Sequence, residues 1–193
     1  HLAAVYHPAA GLAKLYVNGV DVPLTLSGPN PLTTPIPANT QEFILGARIS
    51  KEFPFKGQMD EFRVWNRALS QVEIQANMHC EIAETACGLV LNQHINNGLA
   101  LGNNTGNTAL NDNSGNANNA ALINFNLMCG ANTSNFVAPG AVTSGTSCNI
   151  DPILQSSPGN VPITWTGLMD TNWNNACNWS PIWIPDLSNL EVI

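Results

Sequence analysis

Charge is scarce in this sequence. Only 10% of its 193 residues are Asp, Glu, Lys or Arg, against roughly 25% in an average soluble domain. Cations are scarcest: six Lys plus Arg face thirteen Asp plus Glu, a net charge of −7. Binding to nucleic acid needs cationic contacts to phosphate, so that class of partner is excluded, and anionic membrane surfaces are disfavoured for the same reason. No apolar run approaches the roughly 20 residues of a membrane span, so no membrane insertion is expected. Metal-binding spacings are missing too. Cys80, Cys87, Cys129, Cys148 and Cys177 form no Cys-x-x-Cys pair, and His1, His7, His79 and His94 do not cluster at zinc spacing.

Asparagine, threonine, serine and glycine stand where charge is absent. With 44% hydrophobic residues, a core can still form, and the balance suits an extracellular β protein with polar loops. Disulfides are the expected use of the cysteines, in an oxidising compartment. Cys80 and Cys87 bracket one short loop, and Cys129 and Cys148 bracket another. Spacing does not fix connectivity. In that arrangement Cys177 is the odd cysteine, left for a partner outside the chain.

Along the chain, residues 1–26 read as a β-hairpin and its exit, with Asn18-Gly19 the turn signal. A loop containing Pro29, Pro31, Pro35 and Pro37 follows, then a strand from Phe43 to Ala47 and a turn from Lys51 to Gly57. From Met59 to Trp65 the residues alternate, with Asp60, Phe62 and Val64 on one face and Glu61 and Arg63 on the other. Ser70-Gln-Val-Glu73 fits a capping box, and Leu69 with Ile74 fits a hydrophobic staple, predicting a helix from about Gln71 to Met78. Beyond it lie strands at Gly88–Leu91 and Ala121–Phe125, separated by an Asn/Gly-rich stretch over residues 102–119. Four tryptophans, Trp165, Trp173, Trp179 and Trp183, gather after residue 162, and Leu190–Ile193 reads as a final strand.

The stretch Gln58–Gln75 resembles the closing segment of the laminin-G-like, concanavalin-A-type lectin domains of secreted bacterial proteins. His1-Leu-Ala-Ala-Val-Tyr6, Ala13–Val20 and Phe43–Ala47 resemble earlier strands of that family, in the family's order. The resemblance implies an all-β jelly-roll sandwich, with residues 1–79 as its carboxyl-terminal half and the front half outside the chain. Residues 80–139, bounded by cysteine, resemble the start of a second such unit: a Gly88-Leu-Val strand leads to the loop Asp112-Asn-Ser-Gly-Asn116. One arrangement adds Gly88–Leu91 as a strand to the sheet built by residues 1–65. Residues 140–161 read as a linker. Residues 162–193 resemble the opening of a Trp-rich β-module found in large surface proteins of bacteria that use type IX secretion.

Catalysis is not expected. Glycoside hydrolysis needs two carboxyls facing across a cleft; Asp60 and Glu61 are adjacent on a strand and point to opposite faces. Asp60 is expected to be a buried structural acid, and Glu61 and Arg63, on one face, are placed to pair across neighbouring strands. The glucanase pattern Glu-x-Asp-x-x-Glu is absent from the sequence, and so is a legible Ser-His-Asp set. Calcium is the candidate cofactor, with Asp112, Asn113 and Asn116 as ligands and Asp60 as a fourth; the same loop side chains equally build Asx turns. Trp173 and Trp179, among asparagines, are candidates for a sugar platform or for a small module's core. The resemblances imply a non-catalytic module of a bacterial cell-surface adhesin, whose partners are glycans or neighbouring surface modules. Two other roles stay open: an accessory carbohydrate-binding domain of a secreted polysaccharide-degrading enzyme, and a fibre subunit completed by strand exchange.

Overall fold

The computed structural model describes residues 1–25, 36, 40–84, 86–130, 134–138, 142, 145–148, 164–167, 171 and 178–180. The architecture is all-β, in the class expected, with antiparallel sheets and little helix. Strands β1 (Leu2–His7), β2 (Leu12–Val17) and β3 (Val20–Val22) form one sheet in the order β1-β2-β3. Asn18 and Gly19 join β2 to β3 with φ of 50° and 74°. Positive φ at both positions is the type I′ hairpin geometry that an Asn-Gly pair favours.

Among the described residues, the next regular elements are β4 (Phe62–Trp65) and the helix α1 (Gln71–Asn77). The capping box forms as expected: Ser70 Oγ accepts from the Glu73 amide at 3.3 Å, and Glu73 Oε2 accepts from the Ser70 amide at 2.7 Å. The staple positions do their part as well, for Leu69 packs against a core made by Ile74, Val5 and Tyr16. Burying one such side chain stabilises by about 1.5–3 kcal/mol, so this small cluster fixes the helix on the β1–β3 sheet. Two amides complete the dock. Gln71 and Gln75 each donate to the Gly19 carbonyl at 2.9 Å. A Cβ at Gly19 would stand 2.7 Å from Gln75 Cγ, so glycine serves both the turn and the approach of the helix.

β5 (Leu89–Gln93) pairs antiparallel with β4, with Phe62 opposite Gln93, Arg63 opposite Asn92 and Val64 opposite Leu91. The expected addition of Gly88–Leu91 to one sheet built by residues 1–65 is met only at β4: β4 and β5 form a two-stranded sheet apart from β1–β3. Short pairs follow: β6 (Ala109–Leu110) with β7 (Ala120–Ala121), and β8 (Thr164–Trp165) with β9 (Trp179–Ser180).

Several expectations need correction. Residues 43–47 are not a strand: Gly46 takes φ of 82°, breaking the extended run, and Phe43 is 70% exposed. The strand drawn from Met59 begins only at Phe62, because Glu61 turns the backbone to φ of 52°. Asp60, released from the ladder, is an exposed residue whose carboxyl is only partly desolvated, not the buried structural acid expected. The strand over Ala121–Phe125 shrinks to Ala120–Ala121, and Asn124 has a positive φ of 63°.

Cysteine pairing also differs. Cys80 bonds Cys148, 68 residues away, and does not close a loop with Cys87. The reason is local: the Glu81 amide donates to the Thr146 carbonyl at 2.7 Å and the Cys148 amide to the Glu81 carbonyl at 2.8 Å, which lays the two segments side by side. Cys87 is also disulfide-bonded. Cys129 is free and exposed, so it does not pair with Cys148. Cys177, Trp173, Trp183 and Leu190–Ile193 lie outside the described residues.

Candidate functional site

Three chain segments converge beside the β4–β5 sheet. Glu61 precedes β4, Glu81 follows α1 next to the Cys80–Cys148 bridge, and His94 follows β5. One ligand-capable atom from each lies within 4.8 Å of the other two. The β4–β5 register explains the first meeting. With Phe62 opposite Gln93, the next residues outward are Glu61 and His94, and His94 Nδ1 stands 2.9 and 3.0 Å from the two Glu61 carboxylate oxygens. A carboxylate only accepts, so Nδ1 is the ring nitrogen that carries the shared proton.

Arg63 closes the other side of Glu61. Its Nη2 lies 2.6 Å from Glu61 Oε2, in a pair whose side chains are 9% and 8% exposed. The guanidinium also donates to the Asn77 carbonyl at 2.6 Å and to the Cys80 carbonyl. Those bonds tie β4 to the end of the helix and to the disulfide. Buried charge is tolerable only when paired and hydrogen-bonded in this way. Glu81 Oε1 accepts from Asn96 Nδ2 at 2.6 Å. Beneath the ring lies Asn92, wholly buried at 0% exposure. Its amide donates to the Ile82 carbonyl at 3.1 Å and stands 3.5 Å from His94 Nε2, while its Oδ1 has no partner among the described residues.

His94 belongs to a second feature. With Asn96, Asn97, Asn111 and Asn113 it lines an open cleft of about 250 Å³. Carboxamides dominate this wall; a carboxamide carries two donor hydrogens and an acceptor oxygen, of which Asn96 already gives a donor to Glu81.

The adjoining loop shows what Asp112 does. Its Oδ1 accepts from the amides of Asn92 and Ser114, both at 2.9 Å, and its Oδ2 accepts from the Asn118 amide at 2.9 Å and the Ser114 hydroxyl at 2.8 Å. Burial pushes the carboxyl up, but those amide and hydroxyl bonds outweigh it and hold its pKa below the usual carboxylate range. Asn116 Nδ2 donates to the carbonyls of Leu89 and Val90 at 3.1 and 3.2 Å, and the Asn113 amide donates to the Asn92 carbonyl at 2.6 Å. The loop is thus clamped along β5.

This arrangement does not fit calcium. A hard cation needs converging oxygens, yet four N–H and O–H donors already take the lone-pair sites of Asp112. Asp60 belongs to another neighbourhood. Its carboxyl accepts from the Glu61 and Val142 amides and is raised by partial burial and by the charge of Glu61. The Asx-turn alternative is the one that the loop displays. Of the tryptophan pair, Trp179 is in β9, and Trp173 is outside the described residues.

With fold and site in view, the comparison with known families is narrow and clear. Residues 1–75 match a laminin-G-type model of the concanavalin A-like lectin/glucanases superfamily. No curated protein matches the chain, and no solved structure does. The lectin-like stretch therefore supplies β1–β4 and most of α1, along with Glu61 and Arg63. Glu81, His94 and the whole amide-lined cleft lie beyond it. Among the described residues no helix is long and apolar enough to cross a membrane.

Sequence reasoning paired Glu61 with Arg63 across strands, and the structure joins the two directly. It left His94 isolated, because the contact spans 33 residues. The usable signal was the strand pairing itself: setting Arg63-Val64 against Leu91-Asn92 puts Glu61 beside His94.

Proposed function

We propose that this chain is a non-catalytic, extracellular binding module that recognises polyhydroxylated ligands, glycans above all, at the cleft beside β5. The observation that carries the reading is the cleft wall: Asn96, Asn97, Asn111, Asn113 and His94 converge on one open concavity. Side chains of this kind bond vicinal hydroxyls through paired donors and acceptors. Support also comes from the adjoining stretch over residues 1–75, similar to a superfamily of lectins and glucanases. Within that stretch the one carboxylate of the cluster, Glu61, is committed to Arg63 and His94 and is 8% exposed. A buried, ion-paired carboxylate is poorly placed to serve as a glycosidase acid or nucleophile.

Disulfides at Cys80–Cys148 and at Cys87 support an oxidising, exported location. Within this reading the chain serves a larger bacterial surface adhesin, exported by type IX secretion, in which residues 80–139 begin a second lectin-like unit and residues 162–193 a further β-module. No cation at Asp112 is required.

Binding should be weak. Three or four net hydrogen bonds at about 1 kcal/mol each give roughly 4 kcal/mol, or a Kd near 1 mM. Titration of neutral mono- and oligosaccharides into the isotope-labelled protein, followed by NMR, tests it. Shifts confined to Asn96, Asn97, Asn111, Asn113 and His94, and abolished by Asn97→Ala with Asn113→Ala, are expected. Saccharide shifts elsewhere, or none across a broad panel at tens of millimolar, would remove the cleft as a glycan site.

A further inference from the structure

The geometry points to a second binding site, for a transition-metal dication such as Zn2+, formed by Glu61, Glu81 and His94. The donors come from three segments that the fold holds independently: the start of β4, the disulfide-clipped stretch after α1 and the end of β5. Their ligand-capable atoms already lie within 4.8 Å of one another, so a cation could be reached by all three once it displaces the His94–Glu61 and Asn96–Glu81 hydrogen bonds.

Charge permits it. Glu61 and Glu81 supply two negative charges and Arg63 cancels one, leaving the cluster net negative while His94 is neutral. The donor set selects the ion class. An imidazole among carboxylates suits zinc and its neighbours in the transition series, whereas calcium takes oxygen ligands throughout.

The independent sign is Asn92. This wholly buried amide packs 3.5 Å from His94 Nε2, with its oxygen lacking any donor among the described residues. Its nitrogen, which faces the imidazole, is bonded to the Ile82 carbonyl; buried polar groups are rarely left unmatched, and the oxygen on this same residue leaves the polar network under His94 incomplete as a purely protein arrangement. Ligation through Nδ1 moves the ring proton to Nε2 and exchanges the hydrogen bond between His94 Nδ1 and Glu61 for bonds to the ion. Bonding to a metal and to a second partner through its two nitrogens is what a ligating histidine ordinarily does. His94 also lines the cleft, which gives the ion a route from solvent. None of this depends on glycan binding, and metal uptake is measured without any sugar.

The test is titration of Zn2+ into the intact, oxidised chain by calorimetry, with Co2+ absorption as a spectroscopic check. One equivalent of Zn2+ is expected, with affinity falling at least about tenfold in Glu81→Gln and in His94→Gln, and unchanged in His79→Ala and Cys129→Ser. Glu81→Gln keeps the acceptor for Asn96, so it carries the test should His94→Gln fail to fold; circular dichroism tells the two cases apart. The proposal is overturned if the wild-type chain takes up no Zn2+, if Ca2+ binds as tightly at the same residues, or if uptake survives Glu81→Gln unchanged.

Discussion

Replacing Asp112 probes the loop that walls the cleft. In Asp112→Ala, the amides of Asn92, Ser114 and Asn118 and the Ser114 hydroxyl lose their common acceptor together. A hydrogen bond to a charged group contributes about 1.5–3 kcal/mol when buried. The four are not additive, and water can reach this partly exposed carboxylate, so a net loss of about 1–3 kcal/mol is expected. Asp112→Asn should lose less, since one oxygen remains, but its NH2 would meet the Asn118 amide donor to donor. The pH dependence has a definite sign. The folded pKa is lowered, so the carboxylate's contribution is complete above the unfolded value of about 3.9 and disappears as pH falls through the folded one. Urea unfolding followed by tryptophan fluorescence at pH 7 and near pH 3 measures both effects, and the gap between wild type and Asp112→Asn should narrow at the lower pH. An Asp112→Ala protein within about 0.5 kcal/mol of wild type would refute the clamp. So would Ca2+ raising the melting temperature of the wild type but not of the variant.

Gly19→Ala should cost roughly 1–3 kcal/mol, since alanine would adopt φ of 74° and crowd Gln75 Cγ at 2.7 Å; an unchanged thermal midpoint would contradict the docking of α1 on that turn. Cys148→Ser opens a loop of 68 residues and should lower stability by about 4 kcal/mol on the loop-closure estimate, read as a lower urea midpoint. A midpoint equal to that of wild type would show that the bridge constrains nothing. Asp60 has a raised folded pKa, caused by burial and then by Glu61, so the fold disfavours its ionised form. Asp60→Asn should therefore be more stable than wild type at pH 7, with the advantage vanishing at pH 3, where the native carboxyl is itself protonated. A stability loss at pH 7 would show that the Asp60 carboxylate is needed.

Local rules carried much of the sequence reading. The Asn18-Gly19 turn, the Ser70–Glu73 cap and the Leu69–Ile74 staple each depend on residues within a few positions, and all three form. The errors concern partners. The apolar run Phe43–Ala47 and the alternation from Met59 resemble those of strands, but a strand needs a continuous extended backbone, and the turns at Gly46 and Glu61 interrupt it. The Asp112 loop carries the oxygens that a cation site needs, yet only the position of β5 reveals that amide donors occupy them. The Glu61–Glu81–His94 cluster was hidden because its members sit in separate segments. Their meeting follows from the β4–β5 register and from the Cys80–Cys148 bond, and neither follows from spacing.

That bond has a mechanical consequence. A pull on the two ends of the chain passes from residue 80 to residue 148 through sulfur and bypasses the 68-residue stretch between them. Roughly 230 Å of contour is thereby withheld from extension, at about 3.4 Å per residue. Apart from residues 81–87, where Cys87 carries a disulfide of its own, everything inside the bypass, including β5, His94 and the amide-lined cleft, stays off the load path. Tension that strips β1 and β2 away would leave those elements slack until the disulfide itself is reduced.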